Sequence, residues 1–353
     1  MVRLDKISCV FSIALLAACS EPTCEPIAAC DIRTDRCHRA ALKVAACLRD
    51  SPIDSQVQVE VVDYDVFVEE RVRDATAYEP SMDEIDLRAG LARFGLSVPL
   101  DLEDDARRDI GWVGAFYDSQ TDRVTVLDRG TNGAAEARAQ TILLVHEMTH
   151  ALQGAGGVFD TIYEPIVTYD ALLAALSVIE GEATLVEDHA VIEALGFDFD
   201  DSQYGRALRA YRKFSQQLLV EAEDLFVGVR SGIPYAYGAS FMYEAYKSGG
   251  ASAVARALDQ PIGSTRELLG RTRVDQKVRP ALPVHAGAVL VGSYHLGGFF
   301  FDAFLRRIAR DAPDVSSQVV DDVFSVQRTA DGKLHAAWRL RFDADADLSA
   351  VTT

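Results

Sequence analysis

Five residues, His146-Glu147-Met148-Thr149-His150, restrict this chain more than any other feature. They prolong an apolar run, residues 141–145, that continues through Ala151, Leu152 and Gln153 without a glycine or proline. Such a run reads as a buried helix. Positions four apart on a helix stack on one face, so the two imidazoles can grip a single metal ion. Glu147 adjoins the first of them, where its carboxylate can reach a water on that metal. The competing account is a pair of core histidines with Glu147 turned to solvent.

Two histidines leave a catalytic zinc one protein ligand short, because such sites use three and keep the fourth place open. The segment Glu180-Gly181-Glu182-Ala183-Thr184 begins thirty residues after His150, enough for a loop and a returning helix. The small Gly181 and Ala183 allow that helix to pack close to a neighbour. Glu180 and Glu182 are rival third ligands, since residues two apart on a helix face different ways. His189 is a weaker candidate that reads otherwise as a helix-surface histidine.

With 353 residues, 49% of them apolar, the chain can build one large domain or one domain with appendages. Its formal net charge is −19, with only 35 basic residues. No basic footprint exists for DNA or RNA, so no nucleic-acid partner is expected. The acidity suggests solubility and does not specify a fold.

The first residues read as a targeting segment. Arg3 and Lys6 precede an apolar stretch, residues 9–18, that is too short to span a bilayer. It ends Leu16-Ala17-Ala18-Cys19, which resembles the bacterial lipoprotein box. That resemblance implies that residues 1–18 are a signal peptide and that Cys19 carries the lipid. Ser20 follows, not Asp, which by the same resemblance permits sorting to a Gram-negative outer membrane. A plain secretory signal is the alternative, and either way the mature chain leaves the cytosol. Cys24, Cys30, Cys37 and Cys47 remain. An even number in an oxidising compartment implies two disulfides of unspecified pairing. A zinc knuckle using His38 competes, although no CxxC pair is present.

Residues 19–55 read as a tether and a disulfide-stapled cap, helical over 37–48. Residues 57–68 alternate and are Val-rich, which predicts a strand. Ser81 is placed to cap a helix over 81–94. The segments VGAFY and RVTVL flank a polar turn and predict a hairpin within 112–127, just before the HEMTH helix at 134–152. Helices follow over 169–195, 202–226, 235–247 (ended by Gly249-Gly250) and 290–310. Residues 284–301, which include His285 and His295 and no Asp, Glu, Lys or Arg, read as a buried core helix and not a membrane span. Strands return over 318–342, with a turn at Ala330-Asp331-Gly332. This order predicts an α+β protein with a mainly helical core about 111–310, a small upstream hairpin or sheet and C-terminal strands. Residues 56–353 form its main domain.

HEMTHALQ followed by an EGEA helix resembles the gluzincin type of zinc metallopeptidase, most of all a group of poorly characterised bacterial envelope members. The stretch Pro234-Tyr235-Ala236-Tyr237-Gly238, then Gly249-Gly250 and Gly263-Ser264-Thr265, adds to the likeness. It covers residues 111–195 well and 233–268 moderately. The resemblance implies a zincin-like fold, one zinc ion, His146 and His150 as ligands, Glu147 as general base and Glu180 as third ligand. It also implies an edge strand in the hairpin to hold an extended peptide. Many gluzincins place an Asp four residues after the ligand Glu to hold a histidine; here Thr184 stands there. Tyr235, Tyr237 and His295 are candidate oxyanion donors, with Tyr237 best fitting the family position.

The expected function is zinc-dependent hydrolysis of peptides or proteins by a lipid-anchored envelope enzyme, with the membrane met only through the lipid. A catalytically inactive relative that binds peptides or envelope proteins is the alternative. A structural lipoprotein in which HEMTH is coincidental is a third.

Overall fold

Chain entry into the molecule is fixed by two disulfides. The computed structural model describes residues 24–346 except 54–56, 79, 81, 131–132, 165, 198, 200, 261, 273–281, 283, 285, 310–314 and 345. The targeting segment with Cys19, the capping Ser81 and His285 lie outside these residues. Helix α1 (Asp35–Arg49) starts at Thr34, whose side chain accepts from the Cys37 amide. Cys24 pairs with Cys47 and Cys30 with Cys37, stapling the preceding segment to this helix. All four sulfurs are consumed, so the knuckle alternative does not form. His38 Nε2 lies instead 2.6 Å from the Ile32 carbonyl.

Strand β1 (Gln58–Asp63) is shorter than its Val-rich pattern predicts. The Asp63 carboxylate accepts from the Asp65 and Val66 amides and so starts α2 (Tyr64–Ala77) in the middle of the expected strand. Helices α3 (Met82–Arg93) and α4 (Leu102–Trp112) precede the expected hairpin, β2 (Ala115–Asp118) and β3 (Arg123–Asp128). β1 joins β3 in parallel, giving the order β1-β3-β2 with β2 at an edge.

The helical centre comprises α5 (Ala134–Ala155), α6 (Val158–Tyr163), α7 (Tyr169–Ala194), α8 (Asp201–Glu221), α9 (Leu225–Leu258) and the short α10 (Thr265–Leu268). The helix expected over 202–226 is divided by Asp224, which accepts from the Val227 amide and caps α9. Pro234 lies inside α9 and not before it; with no N–H it leaves the carbonyl four residues back unbonded within the helix. Gly249 and Gly250 adopt non-helical angles, so α9 is two helices meeting at a kink, and the first of them ends at this pair as expected.

The region 284–301 is not one helix. It divides into β4 (Ala288–Tyr294) and α11 (Gly298–Ile308) at Gly297, whose φ of 86° belongs to the left-handed region. β5 (Val319–Thr329) and β6 (Leu334–Phe342) complete an antiparallel sheet, β4-β5-β6. The protein is thus α+β and mainly helical, with two small sheets. No helix among the described residues is long and apolar enough to cross a membrane.

Among the described residues the apolar side chains gather into a small cluster of Phe301, Leu305, Val315 and Val319 and two large cores. The larger joins α7, α8, α9 and α11 to the C-terminal sheet through residues such as Ile179, Val229, Met242, Phe300 and Phe324. The smaller joins α1 to α5 and the first sheet through Ala41, Ala45, Val126, Leu144 and Met148. α7 belongs to both, because Val186 and Ala190 lie in the smaller core.

Candidate metal centre

α5 carries His146, Glu147 and His150 in its buried half, at 4%, 4% and 7% exposure. The low exposure of Glu147 removes the account in which it faces solvent. α7 returns alongside and brings Glu180 to both rings. His146 Nε2 lies 3.2 Å from His150 Nε2 and 3.2 Å from Glu180 Oε2, and His150 Nε2 lies 3.3 Å from the same oxygen. Ligands about 2.0–2.1 Å from a tetrahedral zinc are separated by about 3.3–3.4 Å. The three atoms therefore have the spacing of one face of such a tetrahedron. They form a group that could hold a metal ion, and no other group of three such ligands occurs among the described residues.

The carboxylates around the two rings are numerous. Burial opposes charge on His146, but the Glu180 and Glu187 carboxylates outweigh it and hold the imidazole well above its usual range. His150 is raised in the same way, with burial opposed chiefly by Glu180. Burial would raise Glu180, yet His150 and His146 hold it well below the carboxylate range. Glu147 is raised by burial, against the pull of both histidines. Clustered negative charge of this kind favours a cation.

Each ring is also held from behind. His146 Nδ1 lies 2.9 Å from Glu187 Oε2, and His150 Nδ1 lies 2.8 Å from Gln153 Oε1. Partners of this kind fix the tautomer and orientation of a ligand histidine. Thr184 holds neither ring, and its buried Oγ1 has no hydrogen-bond partner among the described residues. Glu187, two helical turns after Glu180, takes that role for His146. Glu182 turns away from the cluster. It binds Arg49 at 2.9 and 3.1 Å and accepts from Gln153 Nε2 at 2.8 Å, so of the rivals it is Glu180 that meets the rings.

His189 is neither a ligand nor a surface residue. Its ring stacks on Phe199 at 4.3 Å and its side chain is 14% exposed. Burial lowers its pKa to about 4. Among the oxyanion candidates, Tyr235 is the one beside the cluster. Its ring stacks on that of His146 at 6.1 Å, and burial together with the nearby Glu180 carboxylate raises its hydroxyl well above the usual phenol range. The family-position candidate Tyr237 is buried elsewhere, accepting from Gln216 Nε2 at 2.7 Å under the Arg212 guanidinium. The His295 carbonyl bonds the Asp170 amide at the start of α7, ten residues and about 15 Å of helix from Glu180.

The close approach allowed by Gly181 is made to α9 and not to α5. A Cβ at Gly181 would lie 2.3 Å from the Gly238 carbonyl carbon, and one at Gly238 only 1.9 Å from the Ser177 carbonyl oxygen. The backbones of α7 and α9 nearly touch there, which sets Tyr235, three residues before Gly238, over Glu180 and His146. Outside the cluster, Tyr117 of the edge strand stacks on Phe159 and Phe159 on Tyr163, at 6.0 and 6.2 Å. The Tyr163 hydroxyl is raised to about 12 by burial and the Glu180 carboxylate.

Comparisons with models of known families, with curated proteins and with solved structures returned no match.

Proposed function

We propose that this chain is a zinc-dependent peptidase of gluzincin type. The observation that carries this reading is the convergence of His146 Nε2, His150 Nε2 and Glu180 Oε2 at 3.2–3.3 Å from one another, with buried Glu147 beside them. A zinc ion held there would polarise a scissile carbonyl and acidify an attacking water. The protein supplies the rest. Glu147 takes the proton of that water and passes it to the leaving amine. Tyr235, whose ring stacks on that of His146, donates to the oxygen on which charge develops. The edge strand β2 offers backbone groups to an extended peptide chain, giving affinity with little side-chain preference.

Purified mature protein should contain about one zinc per chain. A strong chelator should lower its melting temperature and remove peptidase activity, and added zinc should restore both. His146→Ala should lack the metal altogether. Metal content near zero in the wild type, or activity untouched by chelation, would reject the reading.

The same proposal places the enzyme on a bacterial envelope through a lipid on Cys19, at the outer membrane and in contact with peptide or protein substrates. The two disulfides accord with an oxidising compartment. Labelled palmitate should enter the wild-type chain and not Cys19→Ala, which should move to the soluble fraction. Membrane retention of the unlabelled variant would remove the anchor from this residue.

A further inference from the structure

Helix α1 reaches the metal centre through three side chains. Arg49 is its last residue, two positions after the disulfide-bonded Cys47. The guanidinium grips Glu182 with two hydrogen bonds, Nε to Oε1 at 2.9 Å and Nη2 to Oε2 at 3.1 Å, with the two side chains 9% and 3% exposed. Glu182 Oε2 in turn accepts from Gln153 Nε2 at 2.8 Å, and the same nitrogen donates to the Ile179 carbonyl at 3.0 Å.

An amide nitrogen has two hydrogens, and both are spent on these acceptors. Gln153 must therefore present its oxygen to His150 Nδ1, 2.8 Å away. An amide oxygen only accepts, so Nδ1 carries a hydrogen and Nε2 is the nitrogen left free to bind a metal ion beside His146 Nε2 and Glu180. With Glu182 displaced, the amide could rotate by half a turn, offer its nitrogen to the ring and select the opposite tautomer. His146 has no such chain, since its Nδ1 meets Glu187 directly.

We propose that Arg49 is a positioning residue for metal binding: it fixes the Glu182 carboxylate, which orients the Gln153 amide, which sets the tautomer and ring angle of His150. This inference rests on the reading of the cluster as a metal site. It gives the disulfide-stapled cap a role beyond stability, because the cap supplies the outermost member of the chain.

The test is zinc affinity of the mature protein, measured by competition with a chromophoric chelator, together with the melting temperature of each metal-free form. Arg49→Met and Gln153→Met should each weaken zinc binding about tenfold or more. The double variant should lose no more than the weaker-binding single one, since both act through one chain. Arg49→Lys, which keeps a cation at Glu182 and the fold, should recover part of the loss, and Glu182→Gln should resemble Arg49→Met. A purely structural Arg49 would lower the melting temperature and leave affinity within twofold of wild type; that result overturns the proposal, and additive losses in the double variant overturn the route through Gln153. Should Arg49→Met fail to fold, Arg49→Lys and Glu182→Gln decide by the same criteria. A wild type that binds no zinc overturns the metal reading and this inference together, whereas zinc bound equally by all forms overturns this inference alone.

Discussion

Glu147→Gln is expected to bind zinc as the wild type does and to lose turnover by about a thousandfold, the middle of the range for a positioned acid-base group. The amide is close to isosteric with the carboxylate, so the packing of α5 is kept. Nothing in the ligand set changes, because the three converging atoms come from His146, His150 and Glu180. What is lost is an acceptor able to take a whole proton and release it again. Burial raises the Glu147 carboxyl from its ordinary value, which suits a group that must do both. Tyr235→Phe tests the other half of the scheme. Removing one oxyanion donor should lower kcat about a hundredfold and leave metal content unchanged. Zinc analysis and kcat measured on the same preparations separate these variants from His146→Ala, in which metal and activity vanish together. Full activity in Glu147→Gln would remove it as the base.

Gly238→Ala is expected to be the most damaging glycine-to-alanine change among the described residues. The new Cβ would lie 1.9 Å from the Ser177 carbonyl oxygen, a backbone atom of a packed helix that no rotamer change can move aside. Overpacking of this kind costs about 1–3 kcal/mol and more where backbone must shift. The effect extends to the site, since displacing α9 shifts the Tyr235 ring from its stack on His146. Thermal melts should therefore fall, and turnover should fall beyond what the melts explain. The control lies on the same helix. A Cβ at Gly232 meets nothing within 4 Å, so Gly232→Ala should be neutral or stabilising by up to about 1 kcal/mol. Equal melting of Gly238→Ala and Gly232→Ala would show that the helices are not in the contact described.

The parts of the site legible in the sequence were those written in a local period. His146, Glu147 and His150 share one helical face in an uninterrupted apolar run, and Glu180 is announced by the small residue beside it. The support behind them is not written that way. Glu187 lies among Val186, Asp188 and His189, where nothing distinguishes it from its neighbours, and the family pattern directs attention to Thr184. Gln153 is an uncharged amide at the end of HEMTHALQ. Arg49 meets Glu182 across 133 positions of sequence, a separation at which spacing carries no information. The choice between Tyr235 and Tyr237 followed family position, whereas their surroundings depend on how α9 rotates against α7, which the glycine contact decides.

The same division holds for the fold. The hairpin, the HEMTH helix, the helix bearing Glu180 and the C-terminal strands follow from strict periods and clear turn residues. The Val-rich alternation of 57–68 hid a strand-to-helix change that depends on one capping carboxylate, Asp63. The run 284–301 lacks Asp, Glu, Lys and Arg and so carries no facing signal to tell a buried strand from a buried helix. Its glycines were the overlooked sign, for Gly297 adopts a backbone conformation that a continuous helix forbids.

Because α7 contributes side chains to the two large apolar cores, it is a beam shared between them. Loosening either core releases the same beam, and Glu180 rides on it. A partly melted or clipped chain would thus part Glu180 from the two imidazoles, so that the three-atom cluster and the architecture around it stand or fall as one.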